Sequence, residues 1–152
     1  MPQSLAQVYV HIVFSTKDRM RRLRDGGLRN QLYAYMATIL RANADSPALI
    51  INGVEDHVHA LVRLSRKIPL MKVVQEAKVE TSKWLKRQPA VPSDFAWQAG
   101  YGAFSVSHSL VEETRKCIRN QEEHHRRLSF KEEFREMCRR HGVELDERYA
   151  WD

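Results

Sequence analysis

Near the start of the chain the side chains sort onto the two faces of an extended segment. From Val8 to Phe14, Val8, Val10, Ile12 and Phe14 fall on one face of an extended segment, and Tyr9, His11 and Val13 on the other. The β-branched and aromatic content suits a strand near the centre of a sheet. From about Leu28 to Asn43 the spacing changes to that of a helix, with Leu32, Tyr35, Met36, Ile39 and Leu40 on one stripe. A hairpin follows: Ala48 to Ile51, a turn at Asn52-Gly53, and a second strand from about His57. Pro69 suits the first turn of a helix running to about Gln88, where Pro89 stops it. Val73, Val74, Ala77, Trp84 and Leu85 form its apolar stripe, and its lysines, Lys78 among them, read as a solvated face.

A last strand is expected near Ala99 to Val106, with two glycines that signal a close backbone approach or a bulge. Ser109-x-x-Glu112 reads as a capping box opening a helix to about Arg127, and Ser129-x-x-Glu132 as another, opening a helix that ends before Gly142. The order β-α-β-β-α-β plus two C-terminal helices predicts an α+β, ferredoxin-like (RRM-like) split βαβ domain spanning 1–152. In that plan two helices cover one face of a four-stranded antiparallel sheet and the other face is left available.

Charge adds a partner class. Twenty-five Lys+Arg against nineteen Asp+Glu give a formal charge of +6, which favours a polyanion such as nucleic acid. The densest positive run is "KDRMRRLRDGG", whose Gly pair is expected to break any helix. The two cysteines, Cys117 and Cys138, lack Cys-x-x-Cys spacing, so neither a disulfide scaffold nor a zinc ribbon is indicated. No apolar run is long enough to span a bilayer and the N-terminus lacks a secretion pattern, so a cytoplasmic location is expected.

The chemistry concentrates in "DHVHALVRL". On a strand, His57 and His59 point the same way while Val58, Ala60 and Val62 point the other. Two converging imidazoles fit a metal site, and they fit an uneventful strand too. A further ligand would have to come from elsewhere. Cys117, Gln121, His124 and His125 share one side of the capped helix, and any of them could complete a site.

Four blocks, "VYVHIVFSTKDR", "GVEDHVHALV", "WQAGYGAFSVS" and "CIRNQEEHHRRLSFKEEF", together with the closing "DERYAWD", resemble in order the signatures of the single-tyrosine HUH transposases of small bacterial insertion sequences, including the repeat-associated tyrosine transposases. The resemblance implies a DNA transposase-like protein that binds hairpin single-stranded DNA and uses Mg²⁺ or Mn²⁺ for cleavage and strand transfer. It implies metal ligation by His57, His59 and Gln121, and a homodimer with composite sites. Lys17, Arg19, Arg21 and Arg22 are then the candidate DNA contacts, since phosphate contacts dominate affinity without exact register. His124 and His125 read as cations favoured at a helix C-terminus rather than as ligands.

Relatives place the nucleophilic tyrosine four residues before that glutamine, and this chain has Cys117 there. The thiol falls short of a phosphate positioned for a phenolic oxygen, and near-attack geometry tolerates little displacement. Its lower intrinsic pKa, about 8.5 against about 10, does not restore the reach. Cys117 is therefore expected to be a buried structural or inactive residue, with cleavage lost or impaired; sulfur near the ion would instead bias the site toward softer metals. Tyr101 and Tyr149 read as packing residues. The alternative function is a domesticated, non-catalytic protein that recognises repeat hairpins. An unrelated metallohydrolase is disfavoured, because "HVHALVRL" lacks the added cluster such sites carry.

Overall fold

The computed structural model describes residues 4–151, so the last residue of the closing block, 152, lies outside the described residues. The elements are β1 (Tyr9–Ser15), α1 (Gly26–Ala42), β2 (Ala48–Gly53), β3 (His57–Arg63), α2 (Leu70–Lys86), β4 (Gly102–Val106), α3 (Val111–Arg119), α4 (Gln121–His125) and α5 (Phe130–Arg140). Short 3₁₀ turns occupy Lys17–Arg19 and His108–Leu110. The four strands form one antiparallel sheet in the order β2-β3-β1-β4, the ferredoxin-like plan expected from the sequence.

Register divides the strand residues into two faces. Val10 lies opposite Val62, Ile12 opposite Ala60 and Phe14 opposite Val58. These six residues pack with Leu28, Leu32, Met36 and Leu40 of α1 and with Val73, Val74, Ala77 and Leu85 of α2. The other face carries His11, Val13, His57, His59 and Leu61, and it is not left open. α3 covers one end through Val111 and Ile118 against Leu61. α5 covers the other through Phe130 and Cys138 against Val13 and Phe104. The C-terminal part, expected as two helices, is three, α3 to α5, and it buries the histidine face.

Several local expectations change for physical reasons. The Gly pair does not break α1 but forms its first turn, because the Asp25 side chain caps it by accepting from the Gly27 and Leu28 amides. The β2–β3 turn falls after Gly53, over 54–56, and Asn52 stays in the strand opposite His59. Gly53 is required by proximity: a Cβ there would lie 2.2 Å from the His57 carbonyl oxygen. Gly102 follows the same logic on β4, where the Phe134 ring fills the space a side chain would need.

The expected helix to Arg127 is broken at Asn120, whose φ −96 and ψ 27 leave the helical region. The Asn52 amide donates to the Ile118 and Arg119 carbonyls at 2.9 and 3.1 Å, satisfying the end of α3. Ser109 makes no cap, since it lies within the 3₁₀ turn that precedes α3. The Ser129–Glu132 capping box forms in full. Lys78 is not on a solvated face. Its ammonium donates to the Gln98 and Gly100 carbonyls and sits 5.1 Å from the Phe14 ring centre, and burial lowers its pKa to about 8.

Gly53→Ala is expected to destabilise the protein by about 1–3 kcal/mol, because the obstacle is main chain that no rotamer change can clear. Gly100→Ala, where an added Cβ meets nothing within 4 Å, is expected to be neutral or stabilising by up to about 1 kcal/mol. Urea denaturation of the two variants beside the parent measures the contrast.

Candidate metal centre

β3 directs His57 and His59 toward the face that α3–α5 cover, and both side chains are buried. Each ring is anchored through Nδ1. His57 Nδ1 lies 2.6 Å from Asp56 Oδ1, and His59 Nδ1 lies 2.8 Å from His11 Nε2. The Nε2 atoms therefore face inward, where Glu133 arrives from the first turn of α5, its amide bonded to the Ser129 carbonyl. Glu133 Oε1 is 2.8 Å from His59 Nε2 and 3.7 Å from His57 Nε2.

The third imidazole is His125, near the end of α4. Its Nδ1 contacts the Leu128 carbonyl at 2.8 Å, which requires the proton on that nitrogen and turns Nε2 inward, 3.3 Å from Glu133 Oε2. Ligand atoms of His57, His59, His125 and Glu133 all lie within 4.8 Å of one another. With the His59 ring proton on Nδ1, toward His11, the 2.8 Å approach of Nε2 to Glu133 Oε1 joins two acceptors, and His57 Nε2, His59 Nε2 and Glu133 Oε1 are buried without a hydrogen-bond partner. Unpaired buried atoms of this kind are what a bound cation would satisfy. The anchoring of each ring through its other nitrogen is the arrangement metal-binding histidines adopt. A His/Glu cluster that could hold a metal ion is therefore present.

The local electrostatics follow from burial and these contacts. Burial, reinforced by His59, lowers the His11 pKa to about 3, so His11 is neutral and can accept the His59 Nδ1 proton. Burial also lowers His57, against the opposing effect of Asp56. For Asp56 burial works upward, but the His57 hydrogen bond and the neighbouring charges outweigh it and hold the carboxyl down. Glu133 is held well below the usual carboxylate range, since the His125 and His59 imidazoles overcome its desolvation. His125 moves the other way: desolvation lowers it, but Glu133 and the Leu128 carbonyl raise it above its ordinary value.

The residues singled out from sequence fall into three places. His57 and His59 are at the centre. Gln121 is buried at its edge: its Oε1 is 3.1 Å from His125 Nε2 and its amide donates to the Cys117 carbonyl at 3.3 Å. Cys117 is exposed rather than buried, and Cys138 is the cysteine that enters the core. His125 belongs to the cluster and not merely to a helix end. Its signal in the sequence was the i, i+4 spacing from Gln121. Glu133 carried no comparable signal, because its position depends on how α5 docks.

Of the basic residues, Arg21 and Arg24 line two adjoining cavities. One, of about 420 Å³, includes Arg22 and Leu28; the other, of about 430 Å³, includes Arg29 and Arg126 and reaches His125. Arg21 and Arg22 are paired with the exposed carboxylates of Glu55 and Asp94 at 3.2 and 3.8 Å. Lys17 is exposed on the 3₁₀ turn. Arg19 donates instead to the Trp151 carbonyl at 2.8 Å.

Residues 4–121 match the family described as IS200-like transposase, and the chain belongs to that family. Among solved structures, a transposase candidate from Deinococcus radiodurans R1 is 19% identical, with a TM-score of 0.56 over 78% of this chain and 93% of that one. A REP-associated tyrosine transposase bound to a REP hairpin is 9% identical, with a TM-score of 0.53 over 78% of this chain and 67% of that one. At these identities the two structures share the fold. No curated protein matches the chain. Among the described residues no helix is long and apolar enough to cross a membrane.

In chelated, metal-free protein the Glu133–His125 pair should contribute most to stability in mild acid. The Glu133 contribution is present above the unfolded carboxyl value of 4.5 and is lost as pH falls through its lowered folded value. The His125 contribution is complete below the unfolded 6.5 and is lost as pH rises through its raised folded value. The lowered values of His11 and His57 act the other way below 6.5, where the unfolded imidazoles take up protons that the folded ones do not, so the pair is isolated by difference: the loss of unfolding midpoint caused by Glu133→Gln should be largest at roughly pH 5 to 6.5 and shrink on either side.

Proposed function

We propose that this chain is a cytoplasmic hairpin-DNA-binding protein of the IS200-like family, in which DNA cleavage and strand transfer are lost or impaired at position 117. The observation that carries this reading is the groove lined by Arg21 and Arg24 that ends at His125, beside a buried pair of converging histidines. A nucleic-acid backbone in that groove would replace Glu55 as the partner of Arg21, and one continuing into the adjoining cavity would replace Asp94 as the partner of Arg22. Exposed pairs of that kind contribute about 0–1 kcal/mol, so phosphates can displace them readily.

A divalent ion at the histidines would bind a nonbridging phosphate oxygen and offset developing charge. Mg²⁺ or Mn²⁺ held by His57, His59 and Gln121 is the set the resemblance implies, and the proximity of the Gln121 oxygen to His125 supports a role for that amide at the centre. No tyrosine stands four residues before Gln121, and the exposed Cys117 thiol lacks a phenol's length. The proposal includes the homodimer. Packing of α3 and α4 on the sheet of the same chain supports metal ligands drawn from one subunit.

The decisive experiment incubates the parent and Cys117→Tyr with end-labelled hairpin DNA and Mn²⁺. Both are expected to bind the hairpin in preference to a linear strand, and the parent is expected to form no covalent adduct, any adduct requiring tyrosine at position 117. An adduct with the parent would overturn the assignment of position 117, and absence of hairpin binding would overturn the function. Replacing Arg21, Arg22 and Arg24 together by alanine should weaken binding about tenfold or more and reduce the slope of log affinity against log salt by about two. Titration at several salt concentrations measures both.

A further inference from the structure

The cluster contains more ligands than a cleavage centre needs. An ion that activates a phosphate must keep coordination positions open, whereas three imidazoles and a carboxylate fill a tetrahedral shell. In such a shell, with bonds of about 2.0–2.2 Å, neighbouring donor atoms lie roughly 3.3–3.5 Å apart. Glu133 Oε1 stands 2.8 and 3.7 Å from His59 and His57 Nε2, its Oε2 stands 3.3 Å from His125 Nε2, and the four donors lie within 4.8 Å of one another, so side-chain movement alone can close them to that spacing. All three rings are already anchored through Nδ1 with Nε2 turned inward. The donor set is nitrogen-rich and borderline in softness, which suits Zn²⁺; Mg²⁺ demands octahedral oxygen and retains its waters.

Two of the four donors lie past the family match, which ends at residue 121: His125 on α4 and Glu133 on α5. The match itself contains His57, His59 and Gln121. The segment beyond it supplies the groups that fill the remaining positions.

We propose that His57, His59, His125 and Glu133 form a closed, zinc-class site that fastens α5 to the sheet, with Glu133 occupying the position a DNA phosphate oxygen would otherwise take. This rests on the reading above that an ion binds at the histidines, and it changes which ion and to what end. The metal then holds the C-terminal layer in place, and the Leu128 carbonyl, accepting from Nδ1, positions the His125 ring.

The test uses the full chain stripped with a chelator. Zn²⁺, Mn²⁺ and Mg²⁺ are titrated separately by calorimetry, Co²⁺ is added as a spectroscopic stand-in, and amide exchange is followed in α5. The expected result is one Zn²⁺ per chain, bound at least about a thousandfold more tightly than Mn²⁺. Co²⁺ should show the intense visible absorption of a four-coordinate ion, unchanged when hairpin DNA is added, and Zn²⁺ should slow exchange in α5. Glu133→Gln should lower Zn²⁺ affinity about a hundredfold and abolish the slowing in α5 while circular dichroism stays native.

Pale, higher-coordinate Co²⁺ in the parent, or Mn²⁺ bound as tightly as Zn²⁺ with Glu133→Gln indifferent, would overturn the closed site and leave the ion-binding reading standing. No binding of any of these ions to the parent would sink both. The Co²⁺ spectrum is read on the unmutated chain, so the inference remains falsifiable even if the variant folds poorly.

Discussion

Two imidazoles buried on one face of a central strand constrain everything that covers them. A polar ring out of water is tolerated only when its nitrogens are paired, and leaving one unpaired costs about 1–3 kcal/mol. His57 and His59 have their Nδ1 atoms paired with Asp56 and His11. With those nitrogens protonated, each Nε2 presents a lone pair to the interior. The layer above must then supply a donor or a cation at that point, and what it brings to both lone pairs is the carboxylate of Glu133, which accepts and does not donate. A metal ion among these atoms, which converge within 4.8 Å of one another, could satisfy lone pairs and carboxylate together.

The sheet accommodates this by dividing its labour between faces. The face under α1 and α2 is an apolar core running from Val10 to Trp97. The opposite face holds two smaller apolar clusters, one around Leu61, Val111 and Ile118 and the other around Val13, Phe104, Phe130 and Cys138. The histidines lie on this face between them. Apolar walls exclude water, which strengthens the charge interactions they enclose. They also fix the approach of α5: the Phe134 ring uses the gap at Gly102, and the Ser129–Glu132 box sets where the helix begins. Glu133 follows one residue later. Its position is thus a product of packing and of capping together.

That product explains what could be read from the chain alone and what could not. Alternation located β1 and β3, and helical spacing located α1 and α2, because each of those signals is local and each element buries one face. His57 and His59 were visible for the same reason. The break at Asn120 was not, since it depends on the Asn52 amide reaching the end of α3 from a strand far away in sequence. Asn52-Gly53 resembled a turn, yet Asn52 serves as a cap and Gly53 admits a carbonyl. Cys117 was expected inside on the usual behaviour of free thiols. Its helix instead buries Val111 and Ile118 and turns residue 117 outward. Lys78 looked solvated because nothing nearby in sequence announces the carbonyls of Gln98 and Gly100.

Arg19 shows how the basic loop and the metal layer are joined. Asp18 and Arg19 both adopt φ 55, a conformation non-glycine residues seldom hold without support. The support comes from Trp151, whose carbonyl accepts from the Arg19 guanidinium and whose ring faces it at 5.9 Å. The same ring packs edge-on against Phe130 and Phe134 of α5 and lies within 5.3 Å of Arg135. One tryptophan therefore contacts both the loop that leads into Arg21, Arg22 and Arg24 and the helix that carries Glu133. Phe130 touches His57 in turn, with ring centres 4.6 Å apart. The loop is held from its other side by the Lys17 and Leu23 amides, which donate to the Ala96 and Glu55 carbonyls, so Trp151 adds to these anchors a contact with the helix that brings the carboxylate to the imidazoles.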